Sequence, residues 1–165
     1  MQQQPSASDG QCLIVAGNGV GLDEFVHHQL YVCQGGRTFS QPYSHLGIYA
    51  KQKIHPLVLP IEAEVDDVVL SDFTSPVNLS TQHKLKLDQI RGFLLKRERS
   101  CGVRYKVLFL GSPDDPRSIR LPHPIRNDLC GKNGKRTAFT QKHRFISLSQ
   151  VRAEPQTTSE LLGLI

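Results

Sequence analysis

At 165 residues, with 38% apolar and 21% charged side chains, the chain is long enough to bury a core without staples and too apolar to be disordered. Its formal net charge of +5 is uneven: residues 1–82 carry three basic against eight acidic side chains, and residues 83–165 carry seventeen against seven. No stretch approaches the roughly 18 apolar residues that span a bilayer, and the opening Met1-Gln-Gln-Gln-Pro5 lacks the features of a secretory signal. These features predict a cytoplasmic protein with no membrane partner and no cofactor, its basic half suited to a polyanion.

Residues 1–10 read as a disordered tail and 11–165 as a single globular domain. The apolar run Cys12–Ala16, bounded by Gly17-Asn18-Gly19, predicts a buried strand entering a turn. A second strand is expected over His28–Gln34, stopped by Gly35-Gly36. His45–Ala50 and Lys53–Ile61 flank Lys51-Gln52 as a hairpin, although that pair is poor turn chemistry. Val65–Leu70 adds one more strand. With no good helix between them, these five strands predict antiparallel pairing.

The main helix is expected over about residues 80–100, with Ser80 as N-cap and Leu87, Ile90 and Leu94 at helical spacing. Gly102 suits its C-cap. Val103–Leu110 should be a central strand against that helix, and Ser118–Leu121 a short one beyond the turn Gly111–Pro116. A basic loop over 126–143 turns at Asn133-Gly134, Arg144–Leu148 is the last strand, and Thr157-Thr158-Ser159-Glu160 resembles a helix cap. The fold class is thus α+β: strand-rich, a mainly antiparallel curved sheet or partly open barrel with one main helix.

Several motifs look chemical and carry little. Gly17-Asn18-Gly19-Val20-Gly21 places its third glycine one residue early for a dinucleotide fingerprint and has no room for a crossover helix. Gly47-Ile48-Tyr49 spells half of the GIY-YIG endonuclease signature, but residues 55–65 lack the other half. Cys12, Cys33, Cys101 and Cys130 are too dispersed for a metal knuckle and read as free thiols. Glu62, Glu64 and Asp66, with Asp67 alongside, would share one face of an extended chain, where converging carboxylates hold Mg²⁺ in a nuclease. His45, His55 and Lys53, or His123 and His143, would serve a metal-independent ribonuclease as acid, base and phosphate stabiliser.

The basic side chains are the stronger signal. One set is Lys84, Lys86, Arg91, Lys96, Arg97, Arg99, Arg104 and Lys106, opposed by Asp88 and Glu98. A second comprises Arg126, Lys132, Lys135, Arg136, Lys142 and Arg144, within a segment opposed by Asp128. Long cations on a helix and a glycine-containing loop are what phosphate-backbone contact needs. Tyr105 and Phe139 lie among them as candidates to stack on an unpaired base. Tyr31, Phe39 and Tyr49 are candidates for the wall of a pocket that takes an extruded base. The expected function is nucleic-acid binding, DNA or RNA. The alternatives are a small nuclease or a module that docks on an acidic protein.

Overall fold

The structure, a computed structural model, describes residues 10–17, 19–69, 80–96, 103–140 and 143–164, without the side chains of 90–96. Residues 1–9 of the expected tail over 1–10 and the expected helix end over 97–102 lie outside the described residues, while Gly10 O accepts from Leu148 N at 3.1 Å. In chain order the elements are β1 (Gln11–Ala16), α1 (Gly19–His28), β2 (Leu30–Gln34), β3 (His45–Ala50), β4 (Lys53–Ile54) and β5 (Leu57–Val69). They continue with α2 (Thr81–Lys96), β6 (Arg104–Leu110), β7 (Ile119–Arg120), β8 (Ile125–Arg126), β9 (His143–Ser147), α3 (Leu148–Arg152) and α4 (Thr158–Leu161). The class is strand-rich α+β with a mixed, mostly antiparallel sheet that does not close into a barrel. Among the described residues no helix is long and apolar enough to cross a membrane.

The chain divides into two compact units. Unit 1 comprises residues 1–18, 40–60 and 112–165, and unit 2 comprises residues 19–39 and 61–111. Strand β5 contributes its first four residues to unit 1 and the rest to unit 2.

In unit 1, β1 pairs with β3 in parallel and with β9 antiparallel, while β3 pairs with β4 and with the start of β5. The short strands β8 and β7 add to β4 and β5. The parallel β1–β3 ladder departs from the antiparallel pairing expected among the first five strands. Leu13, Val15, Leu46 and Ile48 are buried along with Cys12 and Ile14, so this ladder is covered on both faces, as parallel pairs usually are. The core of the unit gathers Cys12, Ile14, Tyr49, Ile54, Val58, Ile125, Phe139 and Ile146 with Leu148, Val151 and Leu161 from α3 and α4. Gly47 lies close under Ile14, whose Cδ1 would stand 2.8 Å from a Cβ there and would have to shift. Ser147 caps α3 through a reciprocal bond with Gln150, and Thr157 caps α4 as its sequence implied.

In unit 2, β6 lies between β2 and the second part of β5, all antiparallel. Leu30, Val32, Val68, Tyr105, Val107 and Phe109 pack with Leu87 of α2. Helix α2 starts as expected, with Ser80 Oγ accepting from His83 N at 3.2 Å. Helix α1 was not expected. Its apolar positions Leu22, Phe25 and Val26 do follow helical spacing, but Gly19 and Gly21 hide it, each costing about 1 kcal/mol in a helix.

Candidate nucleic-acid interface

The hairpin between β3 and β4 turns on two residues, Lys51 and Gln52, at φ +50° and +63°. This is the left-handed region that a two-residue turn demands and that Asn-Gly normally supplies. For side-chain-bearing residues it costs roughly 1–2 kcal/mol each, so something must hold them there. That something is Asn127, which is fully buried. Its backbone N donates to Gln52 O at 2.9 Å. Its Nδ2 lies 3.1 Å from Gln52 Oε1, 3.0 Å from Tyr49 Oη and 2.7 Å from Thr137 O. Its Oδ1 accepts from Leu129 N at 3.2 Å and from Thr158 Oγ1 at 3.0 Å. One side chain thus fastens the turn, the base of the loop 130–136 and the start of α4. Sequence reading missed it, because a lone Asn before an Asp reads as loop composition.

The same junction sets out cations. Lys53 and Arg126 are direct partners across the β4–β8 ladder, and both are exposed. The bond from Asn127 N to Gln52 O makes theirs a non-hydrogen-bonded pair, the arrangement in which facing side chains are closest. Their sequence neighbours Ile54 and Ile125 point the other way, into the core. Beyond Arg126, the loop closed by Gly131 N to Lys135 O (2.8 Å) presents Lys132, Lys135 and Arg136, all exposed. Lys53, Arg126, Lys132, Lys135 and Arg136 have no carboxylate within ion-pairing distance among the described residues. Lys51, in the turn, is exposed as well, whereas three other cations of unit 1 are engaged. Arg117 pairs with Asp115 at 2.8 Å, which holds that carboxyl down at about 2, and Arg120 pairs with Asp114 at 2.9 Å. Arg144 lies over the Phe139 ring at 4.4 Å.

The unit 2 candidates sort differently. Lys106 is 5% exposed and donates to Glu64 Oε1 at 2.8 Å and to Arg37 O, with Asp66 at 3.7 Å. Burial alone would lower its pKa, but the bond to Glu64 and the charges of Glu64 and Asp66 outweigh that and raise it. A lysine so enclosed has no free ammonium to give a phosphate, so Lys106 leaves the list of contacts. Lys86 is half-buried, donates to Gln29 O at 3.2 Å, and burial lowers its pKa. Arg104 is exposed, 3.9 Å from Asp67, and Lys84 is half-buried. The side chains of Arg91 and Lys96, and residues Arg97, Arg99 and Lys142, lie outside the described residues.

Tyr105 and Phe139 are 7% and 1% exposed and sit in the two cores, so neither has a face for a base. Their apolar faces are better buried than stacked in water. Half-buried rings in unit 1 occupy a different place: Tyr43 and His143 pack against Phe145 at 6.3 and 5.5 Å. Tyr31 is buried with its hydroxyl accepting from Arg37 Nη1 at 3.2 Å, Phe39 lies 5.3 Å from the Arg37 guanidinium, and Tyr49 is committed to Asn127.

The proposed metal and histidine sites also acquire other partners. Glu62 meets His83 at 3.4 Å, while Glu64 and Asp66 serve Lys106. Asp66 further accepts from Gly36 N and Asp67 N, which lowers its pKa. Among the described residues no three His, Cys, Asp or Glu side chains are grouped to hold a metal ion. His45 donates from Nε2 to Arg117 O (2.8 Å) and accepts at Nδ1 from Ser44 Oγ (2.8 Å); His55 accepts at Nδ1 from Leu57 N. Burial lowers the pKa of both. His123 Nδ1 lies 3.3 Å from Pro124 O. Cys12 and Cys33 are buried thiols and Cys130 an exposed one.

No protein-family model, curated protein or solved structure matches the chain.

Proposed function

We propose that this protein binds nucleic acid, with unit 1 holding the phosphate backbone through Lys53, Arg126, Lys132, Lys135 and Arg136. The observation that carries this reading is their lack of carboxylate partners among the described residues: five exposed cations, two of them set directly opposite each other. Like charges across a strand pair are destabilising on their own, and a bound anion would relieve that repulsion. The charge division by unit supports the same reading. Unit 1 holds eleven basic against six acidic residues, whereas unit 2 holds nine of each.

Each phosphate that meets a cation releases condensed counterions, and that release drives association. The half-buried rings around Phe145 offer an unpaired base a partial stacking surface in the same unit. The Mg²⁺-dependent form of the nuclease alternative is disfavoured, since the acidic strand answers to Lys106 and His83; the histidine-based form is left to the cleavage test.

The test is anisotropy of labelled single- and double-stranded oligonucleotides across a range of salt, with and without EDTA. Five contacts on a single strand correspond to a log–log slope of about −3.5. Absence of binding at low salt would sink the reading and leave the acidic-partner alternative. Cleavage suppressed by EDTA would restore the nuclease.

A further inference from the structure

Resting on that reading, we infer that Lys53 and Arg126 form a two-cation clamp for a single phosphodiester, with Asn127 as its positioning residue. Three observations lead there. First, the two cations are a non-hydrogen-bonded cross-strand pair, so their side chains leave the sheet side by side on one face. Arg supplies a planar fork of donors and Lys a compact charge; the two together match the two free oxygens of a phosphodiester. Second, β4 and β8 are only two residues each, too short to keep a like-charged pair in register unaided. Third, Asn127, adjacent to Arg126, binds the turn adjacent to Lys53 through its backbone and its side chain. The turn itself is held in a conformation its residues disfavour. A hairpin closed by Asn-Gly would form without this help. The buried network instead fixes where Lys53 emerges relative to Arg126.

The clamp is tested by a double-mutant cycle on affinity for a single-stranded oligonucleotide, using Lys53→Gln, Arg126→Gln and the double variant. Two cations on one phosphate are coupled. Each single variant should lose roughly tenfold, as expected for a charge-assisted bond, and the double variant should lose little more. Independent contacts would instead multiply to about a hundredfold. That outcome overturns the clamp while leaving nucleic-acid binding intact, whereas a wild-type protein that binds no oligonucleotide overturns the functional reading itself. Gln52→Ala supplies the positioning readout, because it keeps both cations and removes one acceptor of Asn127. It should weaken binding and reduce the coupling between Lys53 and Arg126. An unchanged coupling in that background overturns the role given to Asn127.

Discussion

Replacing Asn127 with Ala removes the junction of unit 1 at one stroke, and its cost can be worked from the hydrogen bonds it leaves behind. The amide nitrogen has two hydrogens for three acceptors, so two bonds at most are made at full strength. After the change, Tyr49 Oη still has Gln52 Oε1 at 3.2 Å, and Thr158 Oγ1 still has Asp128 Oδ1 at 2.9 Å. Thr137 O and Leu129 N are left without their partner. An unmet buried group costs about 1–3 kcal/mol. These two are partly within reach of water, which puts each near the low end and the total at about 2–3 kcal/mol. At roughly 2–4 °C per kcal/mol for a chain of this size, melting should fall by about 4–12 °C. Two units need not melt together, so hydrogen exchange should accompany calorimetry. Loss of protection should concentrate in residues 50–54 and 125–137. A variant that melts with the wild type and keeps those amides protected would refute the network as the element holding the strained turn.

Three further outcomes follow from the structure. Gly35→Ala should destabilise unit 2 more than Gly47→Ala destabilises unit 1, measured by urea unfolding, since a Cβ at 35 meets the Arg104 carbonyl while one at 47 meets the movable tip of Ile14. Lys106→Met removes the cation that Glu64 and Asp66 share; because both are more than a third exposed, the loss should be about 1–2 kcal/mol, largely recovered by adding Glu64→Gln. Finally, His45 and His55 have pKa values lowered by burial from an ordinary 6.5, so the unfolded chain takes up protons first as pH falls. Their stabilisation is complete above about pH 6.5 and declines below it, and the decline in melting temperature between pH 7 and 5 should shrink in His45→Gln.

Much of the fold was legible because its signals are local. Strict alternation followed by an apolar run marked β6, Ser80 marked the start of α2, and Thr157 marked α4. Helix α1 was lost to its two early glycines, and the parallel β1–β3 pairing was not legible because both α1 and β2 intervene in the chain between those strands. The site was legible only as composition. Which cations remain without a carboxylate depends on contacts distant in sequence: Lys106 of β6 finds Glu64 of β5, whereas Arg126 of β8 finds Lys53 of β4. Tyr105 and Phe139 were misplaced for a similar reason: alternation along β6 says which residues share a face but not which face is covered, and nothing local in the loop around Phe139 shows that it turns into the core.

The assignment of the interface to unit 1 is tested most directly by comparing salt dependence in two charge variants. One changes Lys53, Arg126, Lys132, Lys135 and Arg136 to Gln; the other changes Lys84 and Arg104 in unit 2. With both variants folded, the first should lose nearly all salt-dependent oligonucleotide binding, its slope falling toward zero, while the second keeps the wild-type slope. Equal losses in the two, or wild-type affinity in the first, would contradict it.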